Sequence, residues 1–237
     1  MVTGATTGIG LETIRRIHRE GGLVAAAHRR RNSEADVDGA FSVSLDVTSA
    51  AGWKAAVETV VARFGRLDVL VNNAGARAGG EVEETTDALW DEMIRTNLTS
   101  VFFGCRAAVP HLKSSGGGAI VNVGSITGIR GTEKMVAYSA SKSGLTSLTS
   151  SLALDLAPYN IRVNAVCPAA IDTRMVAGWL KSASDPDAAT RAVIAKHPLG
   201  RLGRPQEVAA AIAFLASDDA GFMTGLSIPV DGGRSIR

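Results

Sequence analysis

Tyr138 and Lys142 stand four residues apart, a spacing that on a helix puts a phenol and an ammonium on one face, one turn from each other. A cation beside a phenol favours the phenolate and lowers a pKa that is ordinarily ~10. The result is a proton donor or acceptor usable near neutral pH. Ser125 precedes Tyr138 on a loop after an apolar run, where its hydroxyl can donate to an oxygen on which charge develops. Taken alone, the Tyr/Lys pair is more often an ordinary exposed helix pair. A second constellation gives it weight: Thr3-Gly4-Ala5-Thr6-Thr7-Gly8-Ile9-Gly10. Glycines allow a tight turn and let a pyrophosphate come within hydrogen-bonding range. The helix beginning near Gly8 offers free N–H groups and the positive end of its dipole.

The residue ending the second strand of such a unit selects the nucleotide. A carboxylate there takes a ribose 2′-hydroxyl, whereas an arginine accommodates a 2′-phosphate. Here the position holds His28, followed by Arg29, Arg30 and Arg31, with no acid to repel a phosphate. NADP(H) is therefore favoured over NAD(H), a solvated basic loop being the alternative.

These groups need a scaffold, and the hydrophobic pattern supplies one. Apolar, β-branched runs at 23–28, 41–45, 67–71, 119–123, 161–166 and 226–230 read as strands, mostly without alternation, as parallel strands covered on both faces do. Between them lie helical periods. Leu11, Ile14 and Ile17 mark one buried face, and Trp53, Val57, Val60, Val61 and Phe64 the next. Thr86 or Asp87 caps a long helix through about Leu112, and Pro205 opens the last helix. The alternation predicts an α/β fold: a doubly wound, mostly parallel, Rossmann-like sheet in three αβα layers, as a single domain over residues 1–237. One conflict stands out, because only Met1 and Val2 precede Thr3 where a central strand belongs. The expectation is a chain that begins upstream, or an abbreviated strand that leaves ladder groups unpaired.

Composition narrows the function. With 25 basic against 23 acidic residues the net charge is +2, which leaves no electrostatic footprint for nucleic acid. Glycine is enriched, 26 of 237 residues against a usual ~7%, and it clusters at a few turns. Cys105 and Cys167 have no metal-ligand or redox spacing and read as buried small side chains in a reducing compartment, with no metal site. Residues 1–12 lack the pattern of a signal peptide, and the longest apolar stretch, 209–216, falls short of the ~18 residues a membrane span needs. A cytoplasmic protein without membrane contact is expected.

Taken in order, these residues resemble the short-chain dehydrogenase/reductase family, of the type with one Rossmann-like domain, over residues 3–233. Gly4, Thr6, Gly8, Ile9 and Gly10 match its nucleotide turn, Asp46-Val47 its adenine-contacting pair, and Asn72-Asn73-Ala74-Gly75 its stretch after the fourth strand. Asn97, Ser125, Tyr138 and Lys142 match its catalytic tetrad. The resemblance implies an enzyme that moves a hydride between a nicotinamide and a carbonyl or secondary alcohol. Tyr138 would be the general acid in reduction and the base in oxidation. Lys142 would lower the Tyr138 pKa and hold the nicotinamide ribose. Ser125 would polarise the substrate oxygen, and Asn97 would position a water in a relay toward Lys142. Asn73 and Gly75 would line the ribose side, while Pro168, Ile171 and Thr173 would fix the carboxamide edge. By general pattern the nearest kinds are 3-oxoacyl-carrier-protein reductases and sugar or polyol dehydrogenases. The alternative is a catalytically silent NADP-binding regulator of the same fold. Ala169 departs from the family's usual glycine, and Thr7 stands where many NADP users carry a basic residue.

Residues 175–198, with Trp179, Leu180, Val193 and Ile194, read either as a lid with an apolar lining or as helices packed on the body. Arg130, Lys134, Arg174 and Lys181 read as a basic rim for an anionic substrate or as a solvated face. A helix over 137–157 rich in small residues, and one over 87–112 apolar on more than one face, suggest an isologous dimer. The resemblance implies a homotetramer, a dimer of dimers.

Overall fold

The computed structural model describes residues 1–29 and 39–237. Seven strands alternate with helices: β1 Val2–Thr3, α1 Gly8–Arg19, β2 Ala25–His28, β3 Phe41–Ser44, α2 Ala50–Phe64, β4 Val69–Asn72, α3 Asp87–Ile94, α4 Ser100–Ser114, β5 Gly118–Val123, α5 Val136–Leu156, β6 Ile161–Pro168, α6 Arg174–Lys181, α7 Pro186–Ala195, α8 Pro205–Ala216 and β7 Ser227–Val230. The strands form one parallel sheet in the order β3-β2-β1-β4-β5-β6-β7, so the chain reverses direction across the sheet between β1 and β4. In such a sheet, ligands bind outside the carboxyl ends of the strands at that reversal.

The expected three layers are present. Trp53 and Val57 of α2, Val101 and Leu112 of α4, and Leu145 and Leu156 of α5 close over one face. Ile14 of α1 with Val208, Ile212 and Leu215 of α8 close over the other. Strands β5 and β6 are almost continuously buried, which is why their sequences show no alternation. Pro229 sits in the edge strand β7, the position where a missing N–H costs the ladder least.

The anticipated gap at β1 is largely closed. Two residues suffice to pair with β2 on one side and β4 on the other. The Met1 nitrogen donates to the Val69 carbonyl at 2.9 Å, and Val71 N–H donates to the Met1 carbonyl at 2.9 Å. The Thr3 hydroxyl accepts from the amides of Asn73 and Ala74, both at 3.0 Å, and so ties the end of β1 to the end of β4.

The predicted long helix is not one α-helix. Thr86 caps it, accepting from Leu89 N–H at 3.2 Å, but between α3 and α4 the chain widens into a π-helical turn, Arg95–Thr99, that contains Asn97. Such single turns break the helical hydrogen-bond register locally and are frequent at functional sites.

Candidate active site

A cleft of about 1170 Å³ opens at the carboxyl ends of the strands. At its nucleotide end lies the β1–α1 turn. Gly8 has φ +56°, a conformation that carries a cost for any residue with a Cβ. No side chain caps α1, and its first turn holds no acid, so its leading N–H groups are left for an anion. Gly4, Thr6, Gly8 and Ile9 line the cleft. Gly10 does not: a Cβ there would lie 2.4 Å from the Gly4 carbonyl oxygen, so this glycine serves close packing of helix on turn, not ligand contact. Asn73 lines the cleft, and its side chain also braces the turn, donating to the Thr3 and Gly4 carbonyls at 2.8 and 3.1 Å.

At the end of β2, His28 is buried and paired through Nε2 with the Ser42 hydroxyl at 2.6 Å. Arg29 is exposed and lines the cleft. Arg30 and Arg31 lie outside the described residues. Asp46 and Val47 line the same end. The Asp46 carboxylate accepts from Thr48 N–H and hydroxyl at 2.9 and 2.8 Å, which holds its pKa below the usual carboxylate range. The donor set therefore fits a dinucleotide: free helix-terminal amides for a pyrophosphate, and at the end of β2 the Arg29 guanidinium, in a position where β2 itself ends on His28 and not on a carboxylate.

Across the cleft, Ser125, Tyr138 and Lys142 meet along with Gly75, Pro168, Ile171 and Thr173. Ser125 Oγ accepts from Thr127 N–H and hydroxyl at 3.2 and 3.1 Å, which leaves its own proton to donate elsewhere. Lys142 lies in the wall, its ammonium donating to the Val123 carbonyl at the end of β5 at 2.8 Å. Burial lowers its pKa from 10.5 to about 8.

One expectation needs correction. Lys142 was expected to acidify Tyr138, yet its ammonium sits 5.9 Å from the phenol ring centroid and is turned to Val123. Desolvation instead pushes the Tyr138 pKa up, and the groups that draw it back are the Ser125 hydroxyl and the Arg77 guanidinium. Asn97 was expected at a water relay. It is fully buried behind the wall, and its amide grips the main chain of Ala76, accepting from Ala76 N–H at 2.9 Å and donating to Ala76 O at 3.0 Å. Its remaining N–H bond goes to Ser141 Oγ at 3.1 Å. With these bonds the π-helical turn fixes the loop after β4, a positioning task.

From the region 175–198, Met175, Val176, Trp179 and Val193 line the cleft, while Leu180 and Val193 also pack with Ala170. Of the proposed basic rim, Arg130 and Lys134 line the cleft and Arg174 and Lys181 do not; Lys134 pairs with Glu81 at 2.9 Å. Sequence reading passed over Arg77 and Arg234, which face this end of the cleft. The only sequence signal was that Arg77 directly follows the Asn-Asn-Ala-Gly-Ala stretch.

A family model described as enoyl-(acyl carrier protein) reductase matches residues 4–235. The chain belongs to the short-chain dehydrogenase/reductase family. It is 39% identical to the cyclopentanol dehydrogenase of Comamonas testosteroni over 245 residues, covering 98% of this chain and 95% of that one. It is also 39% identical to the 3-oxoacyl-[acyl-carrier-protein] reductase of Thermotoga maritima, covering 100% and 97%. Among solved structures, a variant of actinorhodin polyketide ketoreductase with NADPH superposes with a TM-score of 0.94 at 36% identity, covering 100% of this chain and 96% of that one. As a short-chain dehydrogenase/reductase, the protein is an oxidoreductase of carbonyl and alcohol groups, and the silent-regulator alternative is not favoured. Among the described residues, no helix is long and apolar enough to cross a membrane.

Proposed function

We infer that this chain reduces ketones or aldehydes to alcohols, or runs the reverse oxidation, with NADP(H). The observation carrying the reading is the convergence of Ser125, Tyr138 and Lys142 on one cleft whose other end is an uncapped helix N-terminus. When bound, the nicotinamide supplies or accepts the hydride. The chain's own residues do the rest. The α1 amides, Asn73 and Gly75 orient the dinucleotide, with Pro168, Ile171 and Thr173 flanking its reactive end. Arg29 reads the 2′-phosphate. Ser125 donates a hydrogen bond to the carbonyl oxygen, and Tyr138, a phenol whose pKa burial raises further, delivers a proton to the same oxygen as negative charge builds there. Lys142, its pKa lowered to about 8 by burial, holds the ribose hydroxyls and passes a proton toward the phenol.

NADP over NAD is supported by the absence of a carboxylate at His28–Arg29 and by the NADPH-bound relative in the same fold. The substrate class follows the relatives, from ring alcohols to oxoacyl groups. Assembly as a cytoplasmic homotetramer completes the reading, supported by exposed Phe102 on α4 and Leu154 on α5 and by two free, buried cysteines. The test is Tyr138→Phe. It should retain NADPH binding by calorimetry yet lose at least ~100-fold in carbonyl reduction; turnover close to the parent enzyme would overturn the assignment.

A further inference from the structure

Three guanidinium groups gather at the end of the cleft that holds Tyr138. Arg77 follows the loop that Asn97 clamps, and its guanidinium carbon lies over the Trp179 ring of α6, 4.1 Å from the ring centroid. Arg234 comes from the segment after β7 and Arg130 from the loop after β5, and both line the same cleft. Arg130 donates to the main-chain carbonyl of Arg234, which brings the two side by side. Charge acts between Arg77 and Tyr138, between Arg77 and Arg234, and between Arg234 and Arg130.

Among the described residues this cluster has little counter-charge: Asp231 acts on Arg234, and Arg130 also donates to an Arg237 main-chain oxygen at 3.3 Å. Among the described residues, no carboxylate forms an ion pair with Arg77 or Arg234, whereas nearby Lys134 has Glu81. The acid closest in influence to Arg234 is Asp231, and its oxygens are taken by the amides of Gly233 and Ser235 at 3.0 and 2.6 Å. Arg77 and Arg234 are both half-buried. Half-buried like charges without an acid are unfavourable in the free protein, and they become favourable once an anion lies between them. The dinucleotide does not answer this need, because its phosphate donors, the α1 amides and Arg29, sit at the opposite end. The Trp179 ring holds the Arg77 guanidinium at the cleft wall, and among the described residues no hydrogen bond or ion pair engages its N–H groups, which suit the two oxygens of a carboxylate. Around it, Met175, Val176 and Val193 offer apolar surface for a carbon skeleton.

We propose that Arg77 and Arg234 bind a carboxylate carried by the substrate, so that the cleft is built for oxo acids and their hydroxy-acid products. This rests on the reading of Tyr138 as the acid–base group. The ketone reaches Tyr138 and Ser125 while the acid end is held by the guanidinium pair. Trp179 and the Asn97 clamp act on Arg77 as positioning groups.

The experiment compares 4-oxopentanoate, 5-oxohexanoate and 6-oxoheptanoate, each with its primary amide, by NADPH oxidation. At least one acid should exceed its amide in kcat/KM by about tenfold or more, the size of a charge-assisted hydrogen bond. Arg77→Gln and Arg234→Gln should each bring that ratio toward one. A ratio at or below one for every pair in the parent enzyme, or a ratio unchanged in both variants, overturns the proposal. Binding is read separately, by Trp fluorescence in the dead-end complex with NADP⁺ and oxo acid. The acids, and not the amides, should give a saturable change that Trp179→Phe removes. If no carbonyl is reduced in either series, the titration alone decides the anion site, a saturable response to the acids supporting it and none overturning it, while the reading of Tyr138 is decided by its own Tyr138→Phe test.

Discussion

Replacing Lys142 with methionine should make the protein more stable at neutral pH, relative to its behaviour in alkali, while removing a residue to which the proposed chemistry assigns the ribose hydroxyls. The ammonium is buried and its pKa falls from 10.5 to about 8. At ~1.4 kcal/mol for each tenfold change in proton affinity, that displacement is worth about 3 kcal/mol. Below pH 8 the lysine is charged in both the folded and the unfolded chain, and the folded chain carries the full cost of desolvation. Between about 8 and 10.5 the folded chain has released its proton while the unfolded chain still holds one, so stability rises with pH. Above 10.5 both forms are neutral and the cost is gone. Methionine matches the side chain in length and does not titrate. It also strands the Val123 carbonyl, now paired at 2.8 Å, a loss of ~1–3 kcal/mol. That second loss is independent of pH, so the quantity to measure is the difference between variant and parent as a function of pH. Urea unfolding from pH 7 to just above 10.5 should show the variant's relative stability falling by about 3 kcal/mol. For a chain of 237 residues that corresponds to about 6 °C in Tm. A difference constant across the range, or one that grows in the variant's favour with pH, would refute the argument that desolvation sets the Lys142 pKa.

Arg29→Ala should raise the KM for NADPH by roughly five- to thirtyfold, about 1–2 kcal/mol for a charge-assisted contact on an exposed side chain, with little change for NADH. Equal losses for both cofactors in steady-state kinetics would mean that Arg29 does not read the phosphate. Thr149→Val tests the buried chain in which Asn72 donates to Asn122 and Asn122 to the Thr149 hydroxyl, both at 2.9 Å. It leaves an Asn122 N–H without its acceptor beneath the helix that carries Tyr138, so denaturant unfolding should show a loss of ~1–3 kcal/mol; a loss below a few tenths would show that a water or a rotation takes over the bond.

Much of the scaffold was legible because parallel strands covered on both faces must be apolar throughout. Positions 119–123 and 161–166 carried that signature and became β5 and β6. The glycine turn was legible for a related reason: a backbone with φ +56° and a helix on its far side restricts residue choice in a way that shows in the letters. The helix over 87–112 was only partly legible. Its cap and apolar positions were there to read, but the π-helical turn at Arg95–Thr99 arises from how Asn97 reaches the main chain of Ala76, a contact 21 residues away in sequence.

What the sequence determined by itself is therefore everything set by neighbours along the chain: strand and helix periods, the nucleotide turn, the Tyr138/Lys142 spacing, and the basic residue after His28. What only the tertiary structure decided is which charges act on which groups. Lys142, one turn from Tyr138, is diverted to Val123, while Ser125 and Arg77, the latter 61 residues before Tyr138, partly offset the rise that burial imposes on the phenol. Arg234 joins Arg77 only because the end of the chain folds back over the cleft mouth. Electrostatic influence depends on distance through space and on exclusion of water, and neither quantity is written in the spacing of residues.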